Sequence, residues 1–220
     1  MQKFTREDLN RAPSKLLRDG RIANARVYRV SFGGKDWTVK DFSSRPWYIR
    51  NTIGRFLLRR EVHFLNRLEG IDGVAGGAFR IDAFAMAVEY TPGTGLAQMD
   101  VSVQTPEFLN RLEALLDKIH SRGVVHLDCR GMGNMLYRPD GTPALIDFQS
   151  ALNTRWLPAK LRRILEDIDN SGVLKRWLAV HPDIMGEERK RALERIDRLR
   201  RLWVLHGYFG IDKNAPKKRK

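Results

Sequence analysis

Val124-Val125-His126-Leu127-Asp128-Cys129-Arg130-Gly131-Met132-Gly133-Asn134-Met135-Leu136 runs from an apolar approach into an acid, a glycine-bearing loop and an amide. Further on, Ala144-Leu145-Ile146-Asp147-Phe148 ends a second apolar run in a second acid. Pro139-Asp140-Gly141 is turn chemistry, so Asn134–Tyr137 and Ala144–Phe148 are predicted to pair as short strands. Asp128, Asn134 and Asp147 then stand at the ends of one hairpin and offer oxygen atoms to a hard cation. Mg2+ takes such ligands, keeps several waters and is usually shared with substrate phosphates. Either acid alone reads as a turn cap or a strand end; both acids with Asn134 read as a cation site.

Towards the N-terminus, residues 26–42 predict a hairpin. Tyr28, Val30 and Phe32 alternate with polar partners, Gly33-Gly34 supplies the turn, and Trp37 and Val39 alternate on the return. Alternation puts Lys40 on the face opposite Trp37 and Val39, by itself an ordinary place for a strand lysine. A helical pattern follows Ser43, Ser44 and Pro46. Its expected apolar stripe is Ile53, Phe56, Leu57, Phe64, Leu65 and Leu68, and Gly70 is its stop. Glu61 falls inside that stripe. A buried carboxylate is costly unless a cation meets it, and Lys40 is the expected partner. The pair is either structural or the device by which a helix glutamate steadies a lysine that reaches nucleotide phosphates.

Short strands are expected at Ala78–Ile81 and Phe84–Tyr90, ending at Pro92-Gly93. Thr105-Pro106-Glu107 starts a helix whose apolar face is Phe108, Leu109, Leu112, Leu115, Leu116 and Ile119, with Gly123 as its stop. The remainder is helical and closes on Glu187–Leu205, acidic at its start and basic at its end as the macrodipole favours. This order predicts an α+β protein: a small sheet-bearing lobe over residues 1–90, a mainly helical lobe over 91–213, and a basic tail over 214–220, with the join near Glu89–Gly93. His63 and His120 are expected on solvated helix faces, and Trp156, Trp177 and Trp203 as packing anchors.

At 220 residues, 42% hydrophobic and 30% charged, the chain is long and apolar enough for a sizeable core. Forty Lys+Arg against twenty-six Asp+Glu give +14, which favours anionic partners: phosphorylated ligands, nucleic acid or an anionic membrane face. Most of that excess follows Arg155. The single Cys129 excludes an internal disulfide and a thiolate zinc cluster. No apolar run approaches the roughly 18 residues of a spanning helix, and Met1–Asn10 carries no signal-peptide core. The expectation is a cytoplasmic protein, soluble or peripheral at the inner face of the membrane. No nucleic-acid motif is present, so nucleic acid is not the expected partner.

Lys40, Glu61, His126-x-Asp128, Asn134 and Asp147-Phe148 occur in the order of the protein-kinase-like fold, which the chain resembles from about Arg26 to Asn153. It looks most like the compact bacterial members, the lipopolysaccharide-core or Kdo kinases and the RIO-type kinases. His126-Leu127-Asp128-Cys129 is similar to the His-x-Asp-Cys of the lipopolysaccharide kinases. The chain departs from the pattern in three places. No glycine-rich loop precedes the first strong strand, where Asp19–Ala25 stands instead. Asn134 falls six residues after Asp128 rather than five, and Gln149 follows Asp147-Phe148 where a glycine is usual.

The resemblance implies an ATP- and Mg2+-dependent phosphotransferase of two lobes. Asp128 would orient or deprotonate the acceptor hydroxyl, and Asp147 would hold Mg2+ with Asn134. Lys40, steadied by Glu61, would contact the phosphates, and the backbone at Glu89-Tyr90 would meet the adenine. His126 would fix the loop, and Cys129 would be a small packing side chain. The expected acceptor is a lipopolysaccharide-core sugar or another anionic saccharide or lipid. A protein serine/threonine substrate is the alternative, and a catalytically inactive scaffold is the non-enzymatic one. Arg45, Arg50, Arg55, Arg59, Arg60 and Arg67, with Trp47, Tyr48, Ile49 and Phe56 among them, suit an anionic lipid surface as well as an ordinary exposed helix face.

Overall fold

The computed structural model describes residues 3–202, with side chains through residue 198. Thr5 starts helix α1 (Arg6–Arg11) in a closed capping box. Its hydroxyl accepts from the Asp8 N–H, and the Asp8 carboxylate accepts from the Thr5 N–H. Strands β1 (Ser14–Asp19), β2 (Arg26–Phe32) and β3 (Lys35–Asp41) come next. Gly33 and Gly34, at φ +62° and +75°, make the turn between β2 and β3 that a two-residue hairpin needs. Helix α2 (Trp47–Ile49), a π-helical turn (Arg50–Gly54) and α3 (Arg55–Arg67) run on without a break. Strands β4 (Phe79–Arg80) and β5 (Ala85–Glu89) complete a five-stranded antiparallel sheet of order β1-β2-β3-β5-β4.

Beyond it come β6 (Thr94–Gly95), α4 (Pro106–Ser121), β7 (Val124–Val125), β8 (Met135–Tyr137), β9 (Pro143–Leu145) and β10 (Leu152–Asn153). Helices α5 (Ala159–Val180) and α6 (Glu187–Leu202) close the described chain. The fold is α+β.

The large sheet has two unlike faces. Val30, Trp37, Val39, Phe79 and Ala87 pack on the outer face with Phe4, whose ring meets Trp37 and Phe79 edge-on at 5.6 and 5.2 Å. The inner face carries the row Val27–Lys40–Met86 and looks towards α3. The main core starts there with Phe42, Leu58, Phe64 and Met86, and continues without interruption through α4 into Val173 and Trp177 of α5. It therefore crosses the division expected after residue 90. Residues 70–77 cross it too: the Leu145 N–H donates to the Gly73 carbonyl at 2.8 Å, and Val74 bridges Leu145.

Several expectations change. Ile53 and Phe56 are exposed, and the buried stripe of α3 is Leu58, Glu61, Phe64 and Leu65. The π turn inserts extra residues per turn, so a stripe extrapolated from Ile53 at 3.6 residues per turn lands on the wrong face. The second hairpin is shorter than expected, because the chain leaves the ladder at Leu145, before Asp147. Strand β1 has no counterpart among the expected strands; all six of its residues are exposed and give no alternation. His63 is exposed but His120 is not; it is almost buried and meets Asp169 at 3.2 Å. Trp177 is buried, whereas Trp156 is exposed and anchors nothing. Trp203, the helix end beyond Leu202 and the basic tail lie outside the described residues. Among the described residues, no helix is long and apolar enough to cross a membrane.

Candidate active site

Lys40 reaches the site because β3 alternates. Trp37 and Val39 anchor the outer face, so the ammonium must leave the inner one. Its Nζ donates to both oxygens of Glu61, at 2.7 and 2.8 Å, and to Asp147 Oδ1 at 2.7 Å. One cation thus joins strand β3, helix α3 and the segment after β9. All three side chains are largely withdrawn from water, Glu61 most of all at 3% exposure. Burial works against the Lys40 charge, but the two carboxylates outweigh it and raise its pKa. Burial likewise opposes ionisation of Asp147, yet Lys40 holds its carboxyl below the usual range. Glu61 is pushed the other way, up, by burial and by the negative charge of Asp147. The arrangement fixes Asp147 as an anion and Lys40 as a cation. Removing Lys40 would leave two buried carboxylates with no cation between them.

Asp147 has φ +70° and ψ +64°. A left-handed residue other than glycine costs on the order of 1–2 kcal/mol, and the contacts of Phe148 offset that cost. Phe148 is fully buried, its ring 4.6 Å from that of His126, and its backbone N–H serves Glu61.

His126 ties the acid loop to this strand. It is fully buried; Nε2 donates to the Ile146 carbonyl at 3.0 Å, and Nδ1 accepts from the Asp128 N–H at 3.3 Å. That pattern needs the neutral ring with its proton on Nε2. Asp169 of α5, fully buried, holds the same loop from below. Its carboxylate accepts from the N–H groups of His126 at 2.6 Å and Leu127 at 2.7 Å, and faces His120. Leu127 is, among the described residues, the other non-glycine one at positive φ, +62°, so Asp169 sits under a strained turn. Sequence reasoning misses it, although it occupies the buried stripe of α5 with Leu165, Val173 and Trp177 just as Glu61 occupies that of α3. Gly172, one turn on, lets the helix approach closely: a Cβ there would lie 2.9 Å from the Cys129 carbonyl carbon.

Asn134 Nδ2 donates to Asp128 Oδ2 at 2.8 Å and to the Asp128 carbonyl at 3.2 Å. The longer loop therefore still brings Asn134 to Asp128, and the Ile146 N–H donates to the Asn134 carbonyl at 3.1 Å. With the amide nitrogen so engaged, Oδ1 is the Asn134 atom able to meet a cation. Among the described residues, no group of three or more His, Cys, Asp or Glu forms a metal cage. Mg2+ does not need one where phosphates and waters complete its shell, and Asp147 with Asn134 Oδ1 fits that mode. Cys129 is buried beside this loop; burial first, then Asp169 and Asp128, push its thiol well up, which leaves it a packing group.

Glu89 and Tyr90 lie where the chain leaves the large sheet, but their amides are already used. The Glu89 N–H donates to the Gly76 carbonyl at 3.1 Å and the Tyr90 N–H to the Asp36 carbonyl at 2.9 Å. The Glu89 side chain pairs with Lys35 at 2.6 Å, and the Tyr90 ring lies under Arg29. An adenine placed at this crossing would have to be met by carbonyls or by residues 91–93 instead of these two amides. Four of the six arginines of the Arg45–Arg67 segment are also committed. Arg45 holds the Gly20 and Asn24 carbonyls, Arg50 that of Ser43, Arg60 that of Ala151 and Arg67 that of Arg122. Arg55 and Arg59 are the two with no such tether among the described residues. No protein-family model matches the chain, and no curated protein matches it.

Proposed function

We propose that the protein is a kinase of the protein-kinase-like fold, binding ATP and Mg2+ between the large sheet and the helical half and transferring the γ-phosphoryl group to a hydroxyl. The observation that carries this reading is the three-way contact of Lys40 with Glu61 and Asp147, fastened through His126 to the Asp128–Asn134 loop. An ion pair needed only for stability would not require a strained Asp147 or a second anion. A site that must hold phosphates and a divalent ion needs both charges fixed and close.

The acceptor oxygen attacks the γ-phosphorus, the bond from that phosphorus to the β–γ bridging oxygen breaks, and the acceptor proton passes to Asp128. Lys40 meets the phosphates, and Glu61 keeps the ammonium from collapsing onto them. Asp147 and Asn134 would hold Mg2+, which would supply positive charge to the transferring group. The remaining catalysis is positioning, which the His126 and Asp169 contacts supply.

The acceptor we favour is a sugar hydroxyl of lipopolysaccharide core presented at the anionic cytoplasmic face of the membrane. Of the expected patch Trp47, Tyr48 and Phe56 are exposed, as is Ile53, whereas Ile49 is buried; Arg55 and Arg59 lie on the same segment. Aromatic side chains with uncommitted arginines suit an anionic interface. Calorimetric titration with ATP tests the core of the reading. The wild type is expected to bind ATP more tightly with Mg2+ than without, and Asp147→Asn is expected to lose that difference. Equal affinity in both conditions for both proteins would refute it.

A further inference from the structure

In the glycine-rich loop of a kinase, backbone amides reach the phosphates. This chain has Gly20-Arg21-Ile22-Ala23-Asn24 between β1 and β2. Gly20 is buried, and its carbonyl is held by Arg45, so the turn is fastened to the start of the helix rather than free to fold over a ligand.

The strand before that turn carries a different feature. Strand β1 pairs regularly with β2 at Ser14↔Val30, Lys15↔Arg29 and Leu16↔Tyr28, and then its register shifts, so that Arg18 rather than Leu17 stands opposite Val27. Val27 in turn stands opposite Lys40. Residues paired across antiparallel strands point to the same face, so Arg18, Val27 and Lys40 form one row on the inner face. With strands about 4.8 Å apart, Arg18 starts about 10 Å from Lys40. In regular register Leu17 would occupy that place. Bulges that re-aim a side chain are common beside functional sites, and this one exchanges a leucine for an arginine in the row of the site lysine.

One further observation agrees. Among the described residues, the neighbouring cations Arg26 and Arg29 are paired with Asp19 and Asp36, whereas no carboxylate lies within ion-pair distance of Arg18. An exposed arginine aimed at a cleft that already holds a lysine and a metal-type aspartate is placed to take a second anionic group.

We propose that Arg18 is a phosphate-binding residue of this cleft, its guanidinium taking the outer phosphates of the nucleotide where a glycine-rich loop would use backbone amides. The proposal rests on the nucleotide reading of the site and adds how the phosphates are held. Arginine suits the task because its planar fork can give two parallel hydrogen bonds to one phosphate.

The test is calorimetric binding of ATP, AMP and adenosine, with Mg2+, to the wild type, Arg18→Ala, Arg18→Lys and Arg11→Ala. Arg11 is an exposed cation on α1, outside the site. Arg18→Ala is expected to weaken ATP about tenfold or more, to weaken AMP much less and to leave adenosine unchanged. Arg18→Lys should fall between, and Arg11→Ala should match the wild type. If Arg18→Ala bound ATP like the wild type, or weakened adenosine as much as ATP, the proposal would be overturned while the nucleotide reading stood. A wild type that bound no ATP would overturn both.

Discussion

Gly172→Ala tests how the acid loop is held without touching any reacting group. Gly172 lies inside α5, where Ala in place of Gly favours the helix by about 0.5–1 kcal/mol. Against that, the new Cβ would lie 2.9 Å from the Cys129 carbonyl carbon, closer still to its oxygen, and 3.1 Å from Met135 Cε. Met135 can yield at a methyl group; the Cys129 carbonyl is backbone and cannot. Restoring ordinary contact at about 3.4 Å or more means parting helix and loop by roughly 0.5–1 Å at the residue next to Asp128. Overpacking of this kind costs about 1–3 kcal/mol, so against the helix gain the net destabilisation is about 0–2.5 kcal/mol. For a domain of this size that lowers the melting temperature by at most about 10 °C. Misplacement of a catalytic group by about 1 Å costs up to ~100-fold in rate, so turnover should fall by tenfold or more while the protein stays folded. Melting by circular dichroism and turnover at saturating ATP are the measurements. Gly76→Ala is the control, because nothing lies within 4 Å of a Cβ there. A Gly172→Ala protein with wild-type turnover would refute the claim that α5 sets the position of the loop.

Lys40→Ala should abolish productive ATP binding, and Glu61→Gln should impair it less, because Lys40 keeps its charge and its contact with Asp147; full activity in Glu61→Gln beside a dead Lys40→Ala would break the proposed pairing. Asp147→Asn should end Mg2+-dependent turnover, with Asn134→Ala reducing it by less, since an amide offers a dipole where the carboxylate offers a charge; equal loss in kinetic assays would count against that ranking. Lys40 holds Asp147 below its ordinary value of 3.8, so the stability it contributes is fully present above that value and lost as pH falls through the lower folded value; denaturation curves of the wild type and Asp147→Asn should converge only in that acid window. Asp169→Asn turns a donor towards the His126 and Leu127 amides and should cost about 2–3 kcal/mol, read by urea denaturation, with turnover falling alongside. Replacing Arg55 and Arg59 with glutamine should raise the acceptor Michaelis constant more than it lowers turnover and should flatten its salt dependence, while ATP affinity stays unchanged.

The two hairpins and the amphipathic α4 are legible in the sequence because each is short-range chemistry: alternation around Gly33-Gly34, a Pro-Asp-Gly turn, and a capped helix with six apolar residues on one face. The Lys40–Glu61 contact is legible because a carboxylate in an apolar stripe demands a cation. The stripe around it comes out partly wrong, since nothing in local composition announces a π turn. Asp169 sends the same signal as Glu61, but within a helix whose two sides are less sharply divided between apolar and polar residues. Arg18 is hidden altogether, because its face depends on a register shift in an exposed edge strand. The use of the Glu89 and Tyr90 amides is set by Gly76 and Asp36, which come from elsewhere in the chain.

The central claim is that this cleft moves a phosphoryl group from ATP to a hydroxyl. The most direct measurement is transfer from ATP labelled in its γ-phosphate, with Mg2+, offering core oligosaccharide and a generic protein acceptor side by side. The account predicts label on the oligosaccharide, lost in Asp128→Asn and in Asp147→Asn. Label on protein alone would move the acceptor to a serine or threonine hydroxyl. No transfer to either, from a protein that binds RNA in a salt-sensitive way instead, would contradict the account.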